Sequence, residues 1–253
     1  MNTAAIKFDA FENLKNQDCQ QRILKARKVL GDKIVILGHH YQNEEVYRHA
    51  DLAGDSLKLA KYVENLEAKY IIFLGVHFMA EVANILSRQD QITVLPDLSA
   101  GCSMADMANL AKVERSYREL NKVLDFDSAI TPITYINSAA DLKAFCGEHE
   151  GIVCTSTNAP KILDWAFNQK EKVLFFPDQN LGRWTGYKMG IPLDLMPIWD
   201  PDLPLGGLTE DEIKKAKVLL WKGHCAVHQM FRLEHIQHFK KNHPDGFVIS
   251  HPE

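Results

Sequence analysis

Short apolar runs that end in polar residues and lead into a helical pattern recur along most of this chain. That alternation limits the fold more than any other feature. Apolar runs of four to six residues alternating with helical patterns indicate parallel βαβ units. KIVILGHHYQ (33–42) predicts a buried strand with a polar end, followed by the helix-like stretch NEEVYRHADLAGDSLKLAKYVEN. AKYIIFLGVHFMAEVANIL (68–86) predicts a second strand and helix. QITVLPDLSAGCSMADMANLAKV (91–113) predicts a third strand, a turn and a helix start.

The pattern then restarts. SAITPITYINSAADLKAF (128–145) and GIVCTSTNAPKILDWAF (151–167) each read as a strand entering a helix, and EKVLFFPDQNLGRW (171–184) as a third strand. Its VLFFPDQNLG pairs with the earlier TVLPDLSAG through a shared Pro-Asp after the strand, so a three-strand unit is expected twice in succession. After CAVHQMFRLEHIQHFKKN, read as a helix, GFVISHPE is expected to be the first strand of a third copy.

The three first strands end in HHYQ, TYIN and SHPE. Each brings two polar residues, one position apart, to its carboxyl end: His39 with Tyr41, Tyr135 with Asn137, His251 with Glu253. Ligands of parallel sheets bind at those ends. The expected architecture is a pseudo-threefold arrangement of three-layer α/β/α domains with parallel sheets, all three pairs facing one central pocket. The expected units are 1–115, 116–226 and an incomplete 227–253, so that the chain is read as a fragment of a longer protein. A Pro- and Gly-rich stretch near 187–217 is expected to be an inserted surface excursion.

Composition excludes several classes. A formal charge of -4 argues against a nucleic-acid binder that works by broad phosphate neutralisation. No apolar run approaches the length of a membrane span, and the polar, acidic N-terminal stretch is unlike a signal peptide. A cytoplasmic protein is expected. Five cysteines, an odd number without an export signal, speak against a disulfide framework.

Cys102 follows a Gly in PDLSAGCSMAD and Cys225 a Gly-His in WKGHCAVH, each ahead of an expected helix. Backbone N–H groups and a helix dipole at such positions favour a thiolate and a soft metal. Cys19, Cys146 and Cys154 lack that setting and read as structural. One cysteine from each copy would suggest an iron–sulfur cluster with an open iron, and this chain has no candidate for the third. Zinc held by Cys225, His228 and His39 is the other reading, although no CxxC or HExxH spacing supports it. AGDSLKLAK and CTSTNAPKIL place Ser56, and Ser156 or Thr157, at expected helix N-caps. Those positions suit phosphate or carboxylate binding, or ordinary capping.

Together GHHYQ, ADLAGDSLKLA, VHFMAE, VLPDLSAGCSMADM, TYINSAADLKAF, CTSTNAPKIL, FFPDQNLG, WKGHCAVH and HPE resemble the quinolinate synthase family, in that order and along most of the chain. The resemblance implies condensation of iminoaspartate with dihydroxyacetone phosphate to quinolinate, on the route to NAD. It also implies a [4Fe–4S] cluster held by one cysteine of each domain, with Cys102 and Cys225 as the first two ligands. The third ligand, and a Gly-Ser-Thr segment that follows HPE in the family, are absent here. L-aspartate oxidase or dehydrogenase is the implied source of iminoaspartate.

Carried over residue by residue, the family's active site corresponds to His39, Tyr41, Ser56, Tyr135, Asn137, Ser156, His228, His251 and Glu253. The expected roles follow from their chemistry. Glu253 and Tyr41 form an acid/base pair shifted toward neutral pH, and His228 and His251 bind carboxylates or shuttle protons. Ser56 and Ser156 hold phosphate or carboxylate, while His39, Tyr135 and Asn137 contact the substrate. His77 reads as a packed strand-end histidine. Two readings from other classes stay open: a non-catalytic relative that binds a phosphorylated metabolite, and a zinc hydrolase.

Overall fold

The computed structural model describes residues 9–250, so His251 and Glu253 lie outside the described residues. Four strands form the first sheet, in the order β2-β1-β3-β4: β1 (Ile34–His39), β2 (Leu52–Gly54), β3 (Tyr70–Leu74) and β4 (Ile92–Val94). The second sheet runs β6-β5-β7-β9-β8, from β5 (Ile130–Tyr135), β6 (Ile152–Cys154), β7 (Lys172–Phe176), β8 (Ile198–Trp199) and β9 (Val218–Trp221). Every pairing is parallel.

Parallel strands need cover on both faces, because their crossover helices lie there. In the second sheet Val173, Phe175, Val218 and Leu220 pack with Leu163 and Leu181 of the helices Ala159–Gln169 and Gln179–Lys188. The alternate residues Leu174, Phe176, Leu219 and Trp221 pack with Val113, Leu120 and Phe145 of the helices Leu110–Leu120 and Ala140–Glu148. Consecutive side chains thus serve opposite cores, as the period of a strand requires. In the first sheet Val35, Leu37, Ile71 and Phe73 pack on the helices Ser56–Val63 and His77–Leu86. The opposite face, with Ile34, Ile36 and Ile72, looks across a pocket toward Ile23 and Ala26 of the helix Asn16–Leu30. The chain is α/β, with parallel sheets between helices.

The topology corrects the expected three-strand unit. The first four positions of each order, β2-β1-β3-β4 and β6-β5-β7-β9, correspond, so the shared unit has four strands. The missing members were β9 (Val218–Trp221) in the second unit and β2 in the first, the latter inside a stretch read as continuous helix. There the helix Glu44–Tyr47 ends, and Leu52–Gly54 pairs with Leu37–His39 before a new helix starts at Ser56. GDS after β2 corresponds to TST after β6, and Cys102 after β4 to Cys225 after β9. Pro96-Asp97 and Pro177-Asp178 follow β4 and β7, which are not equivalent strands, so that match was a coincidence.

Three further expectations change. The 187–217 stretch is not a surface excursion: it supplies β8, which pairs with β9, and buries Met196, Trp199 and Ile213. The stretch 246–250 forms no strand here, and Phe247 and Ile249 are exposed at 92% and 95%. An extended segment without a neighbour has no ladder to join. His77 is not packed at a strand end: it opens the helix His77–Leu86 with a half-exposed side chain.

Candidate active site

The carboxyl ends of β2, β5 and β6 border one pocket of about 450 Å³. Ser56, Lys58 and Lys61 line it from the first repeat, and Tyr135, Asn137, Thr155, Ser156 and Thr157 from the second. Four of the residues expected to bind substrate, namely Ser56, Tyr135, Asn137 and Ser156, are therefore brought together.

Local hydrogen bonds explain their placement. Asp55 is the N-cap of the helix Ser56–Val63, its Oδ1 accepting the Lys58 N–H at 2.8 Å. Ser56 is thus not the cap, and its hydroxyl is spared that bond. On the other wall Thr155 N–H donates to Asn158 Oδ1 at 2.6 Å and Asn158 N–H to Thr155 Oγ1 at 3.3 Å. This reciprocal turn carries Ser156 and Thr157, and the helix begins only at Ala159, so neither is its cap. Beside them Ile136 N–H donates to Cys154 O at 2.8 Å. The buried Ser138 hydroxyl donates to Tyr135 O at 2.7 Å and accepts from Thr134 Oγ1 at 2.8 Å. The loop bearing Tyr135 and Asn137 is bonded from within.

Lys58 and Lys61 were not among the expected site residues. The available signal was their spacing of three in SLKLAK, which puts both on one helix face.

His39 ends β1 and is buried, its ring 3.8 Å from that of Tyr41 between centroids. Its Nδ1 accepts the Tyr41 N–H at 3.3 Å, which requires that nitrogen to be unprotonated. Burial, then His40, lowers its pKa to about 4, against an opposing pull from Asp55. The sign of the resulting pH dependence is fixed. The unfolded imidazole binds a proton near pH 6.5 and the folded one near 4, so stability falls as pH drops through that window. The loss from this group is about 3 kcal/mol. His39→Asn should flatten the urea midpoint between those pH values; equal slopes in both proteins would assign the effect elsewhere.

Tyr41 is 54% exposed; desolvation of the rest of the side chain, then the Cys102 sulfur, pushes its pKa up to about 12 rather than toward neutrality. Cys102 is half-buried, and burial raises its pKa despite the N–H groups of Ala105 and Met104; Cys225 and Asp106 add to the rise. The helix expected after Cys102 is only the single turn Ala105–Met107, and that after Cys225 only Ala226–Gln229. The N–H groups near the Cys102 sulfur remain, without a long helix dipole behind them.

Cys102 and Cys225 are both free thiols, and both pack against the same apolar cluster. Two neighbouring soft donors, one with backbone N–H groups around it, suit two corners of an iron–sulfur cluster. Cys146 and Cys154 are buried within the hydrophobic cores. Among the described residues no three His, Cys, Asp or Glu side chains are gathered to hold a metal, so the zinc set of Cys225, His228 and His39 is not assembled. His228 lines a different depression, with Phe231 and Ile249.

The family described as quinolinate synthetase A protein, NadA, matches residues 21–253. Quinolinate synthase of Rhodopirellula baltica is 51% identical over 255 residues, covering 96% of this chain and 65% of that protein. Those of Herpetosiphon aurantiacus and Corynebacterium glutamicum are each 51% identical, covering 98% and 97% of this chain and 66% and 62% of theirs. The chain thus spans about two thirds of the length of these curated relatives. With the pocket and both cysteines falling inside the matched region, the chain belongs to the quinolinate synthetase A family.

Proposed function

We propose that the chain carries the quinolinate synthase activity named for its relatives, joining iminoaspartate and dihydroxyacetone phosphate with loss of one phosphate and two waters. The observation that supports this reading most is the convergence of Ser56, Tyr135, Asn137 and Ser156 on one pocket. Both substrates are anions, and the pocket offers hydroxyls and two lysines to receive phosphate and carboxylate.

In this reading Ser56 and Ser156, with Lys58 and Lys61, hold the anionic groups. Tyr135, Asn137 and His39 orient the carbon skeletons, and Tyr41 donates a hydrogen bond to a substrate oxygen. Glu253 moves protons, and His228 and His251 meet carboxylates. Cys102 and Cys225 hold two corners of a [4Fe–4S] cluster whose third thiolate comes from outside this chain's sequence. When bound, the cluster supplies Lewis acidity at its open iron. Three repeats, 1–115, 116–226 and the one begun by 227–253, surround the cluster on a pseudo-threefold axis. L-aspartate oxidase or dehydrogenase supplies iminoaspartate in the cytoplasm. Among the described residues no helix is long and apolar enough to cross a membrane.

The test is quinolinate formation by the chain extended with the segment that supplies the third thiolate, after anaerobic reconstitution with iron and sulfide, iminoaspartate being generated in the assay. Ser56→Ala and Ser156→Ala should each raise KM for dihydroxyacetone phosphate about tenfold, as loss of a hydrogen bond to a charged group does. Phosphate binding at the pocket without any quinolinate would instead favour the non-catalytic reading.

A further inference from the structure

GVHFMAE has no role in the site described above, yet it touches both walls around the pocket. The helix His77–Leu86 starts with His77 N–H donating to Ala100 O at 2.8 Å, which ties it to the loop ahead of Cys102. One turn on, Glu81 reaches into the second repeat, its Oε2 accepting the Ala140 N–H at 3.0 Å. Its other oxygen faces His77 Nδ1 at 3.6 Å.

Ala140 is the first residue of the helix Ala140–Glu148, and the residue before it, Ala139, has no side chain able to cap. First-turn N–H groups need an acceptor from elsewhere, and here the first repeat provides it. Lys143 completes the contact. Its ammonium donates to Ser138 O and sits 5.7 Å from the ring centre of Phe78, the buried neighbour of His77. Ser138 in turn holds Tyr135 O through its hydroxyl. A chain of contacts therefore runs from Glu81 and Phe78 through Ala140, Lys143 and Ser138 to the loop that carries Tyr135 and Asn137.

We propose that Glu81 is a positioning residue, which caps the helix Ala140–Glu148 from the neighbouring repeat and so holds Tyr135 and Asn137 in register with Ser56 across the pocket. The functional part of this inference rests on the pocket being the substrate site.

The test uses hydrogen–deuterium exchange of the segment 136–142 in the 253-residue chain. Glu81→Ala should speed exchange there about tenfold. Glu81→Gln should stay within about twofold of the parent, because an amide oxygen accepts the same bond. Ala140→Pro removes the donor at a helix position where proline is tolerated, and the extended backbone of Ala139 suits a following proline. It should loosen the segment as Glu81→Ala does, and the double variant should be no looser than either. The buried strand 218–221 should exchange at parental rates throughout. In the quinolinate assay Glu81→Ala should raise KM for dihydroxyacetone phosphate about tenfold while kcat falls less than threefold.

Unchanged exchange in Glu81→Ala, or a Glu81→Gln variant as loose as Glu81→Ala, would overturn the inference. If Glu81→Ala does not fold, Ala140→Pro decides the same question. If the parent forms no quinolinate, the proposed function fails, while the exchange comparison still settles whether Glu81 holds the loop.

Discussion

Trp199→Ala should destabilise the protein by about 3–5 kcal/mol, the range for emptying a large aromatic site in a packed core. The indole is fully buried in the apolar cluster with Trp221, Ile213 and Leu219. Its Nε1–H donates to Ser116 Oγ at 2.8 Å. Gly206 lies against the ring: a Cβ there would come within 2.3 Å of it. The site therefore has little room to rearrange, and truncation would leave a cavity as well as lose a bond. Trp199→Phe should cost much less, about 1–2 kcal/mol, because most of the volume stays and Ser116 Oγ still donates to Lys112 O at 2.9 Å. Urea unfolding followed by circular dichroism separates the cases. A cost below about 0.5 kcal/mol for Trp199→Ala, typical of a surface change, would return the 187–217 stretch to a surface excursion.

Gly223→Ala should cost a similar amount, about 3 kcal/mol, through overpacking rather than a cavity. A Cβ on Gly223 would lie 1.8 Å from the Pro177 carbonyl oxygen and 3.5 Å from Met107 Cβ. The near atom is backbone, so no rotamer change relieves the clash. The loops after β7 and β9 are also joined there, by Gln179 N–H donating to Gly223 O at 3.0 Å. Relief must come from parting those loops, and Cys225 lies two residues further on. The variant should therefore show both a lower urea midpoint and faster modification of Cys225 by a thiol reagent. Gly147→Ala is the control. Nothing lies within 4 Å of a Cβ at that helical position, so alanine should stabilise by up to about 1 kcal/mol. Unchanged Cys225 reactivity in Gly223→Ala would show that the loop absorbs the methyl without moving its cysteine.

The sequence was most legible where strands were long and apolar. β1, β3, β5 and β7 could be read from their composition, and the polar ends of β1 and β5 were placed correctly at carboxyl edges. β2 was hidden because Leu52–Gly54, unlike the equally short β4 and β6, has no β-branched residue and becomes a strand only through β1. Missing it in one unit and β9 in the other shifted the comparison of the repeats and lent weight to a Pro-Asp match between non-equivalent strands. At Ser56 the cap belongs to its neighbour Asp55. At Ser156 the helix starts behind Asn158, whose side chain bonds back to Thr155 instead of capping. Asp, Asn, Ser and Thr share the capping propensity, and only geometry chooses. Pro and Gly between 187 and 217 signalled irregular backbone, which says nothing about whether Trp199 and Ile213 point inward. Glu81 was legible only as part of a motif, because its partner is 59 residues away.

The loop with Cys102 has a further property that concerns time rather than shape. Met104, two residues beyond the cysteine, is buried in the core of the second sheet, and Met107 O accepts the indole N–H of Trp221 at 3.0 Å. All four strands of the first sheet precede this loop, so that sheet has its own strands early in synthesis. The loop is held to that sheet only in part, through Ala100 O and Ala105, and its partners in the second sheet are added only after the 114 residues that separate Met107 from Trp221. At ribosomal rates that interval is roughly ten seconds. During it Cys102 sits on a segment anchored at one side only, open to oxidation or stray metals, before Met104 and Cys225 join it against the second core.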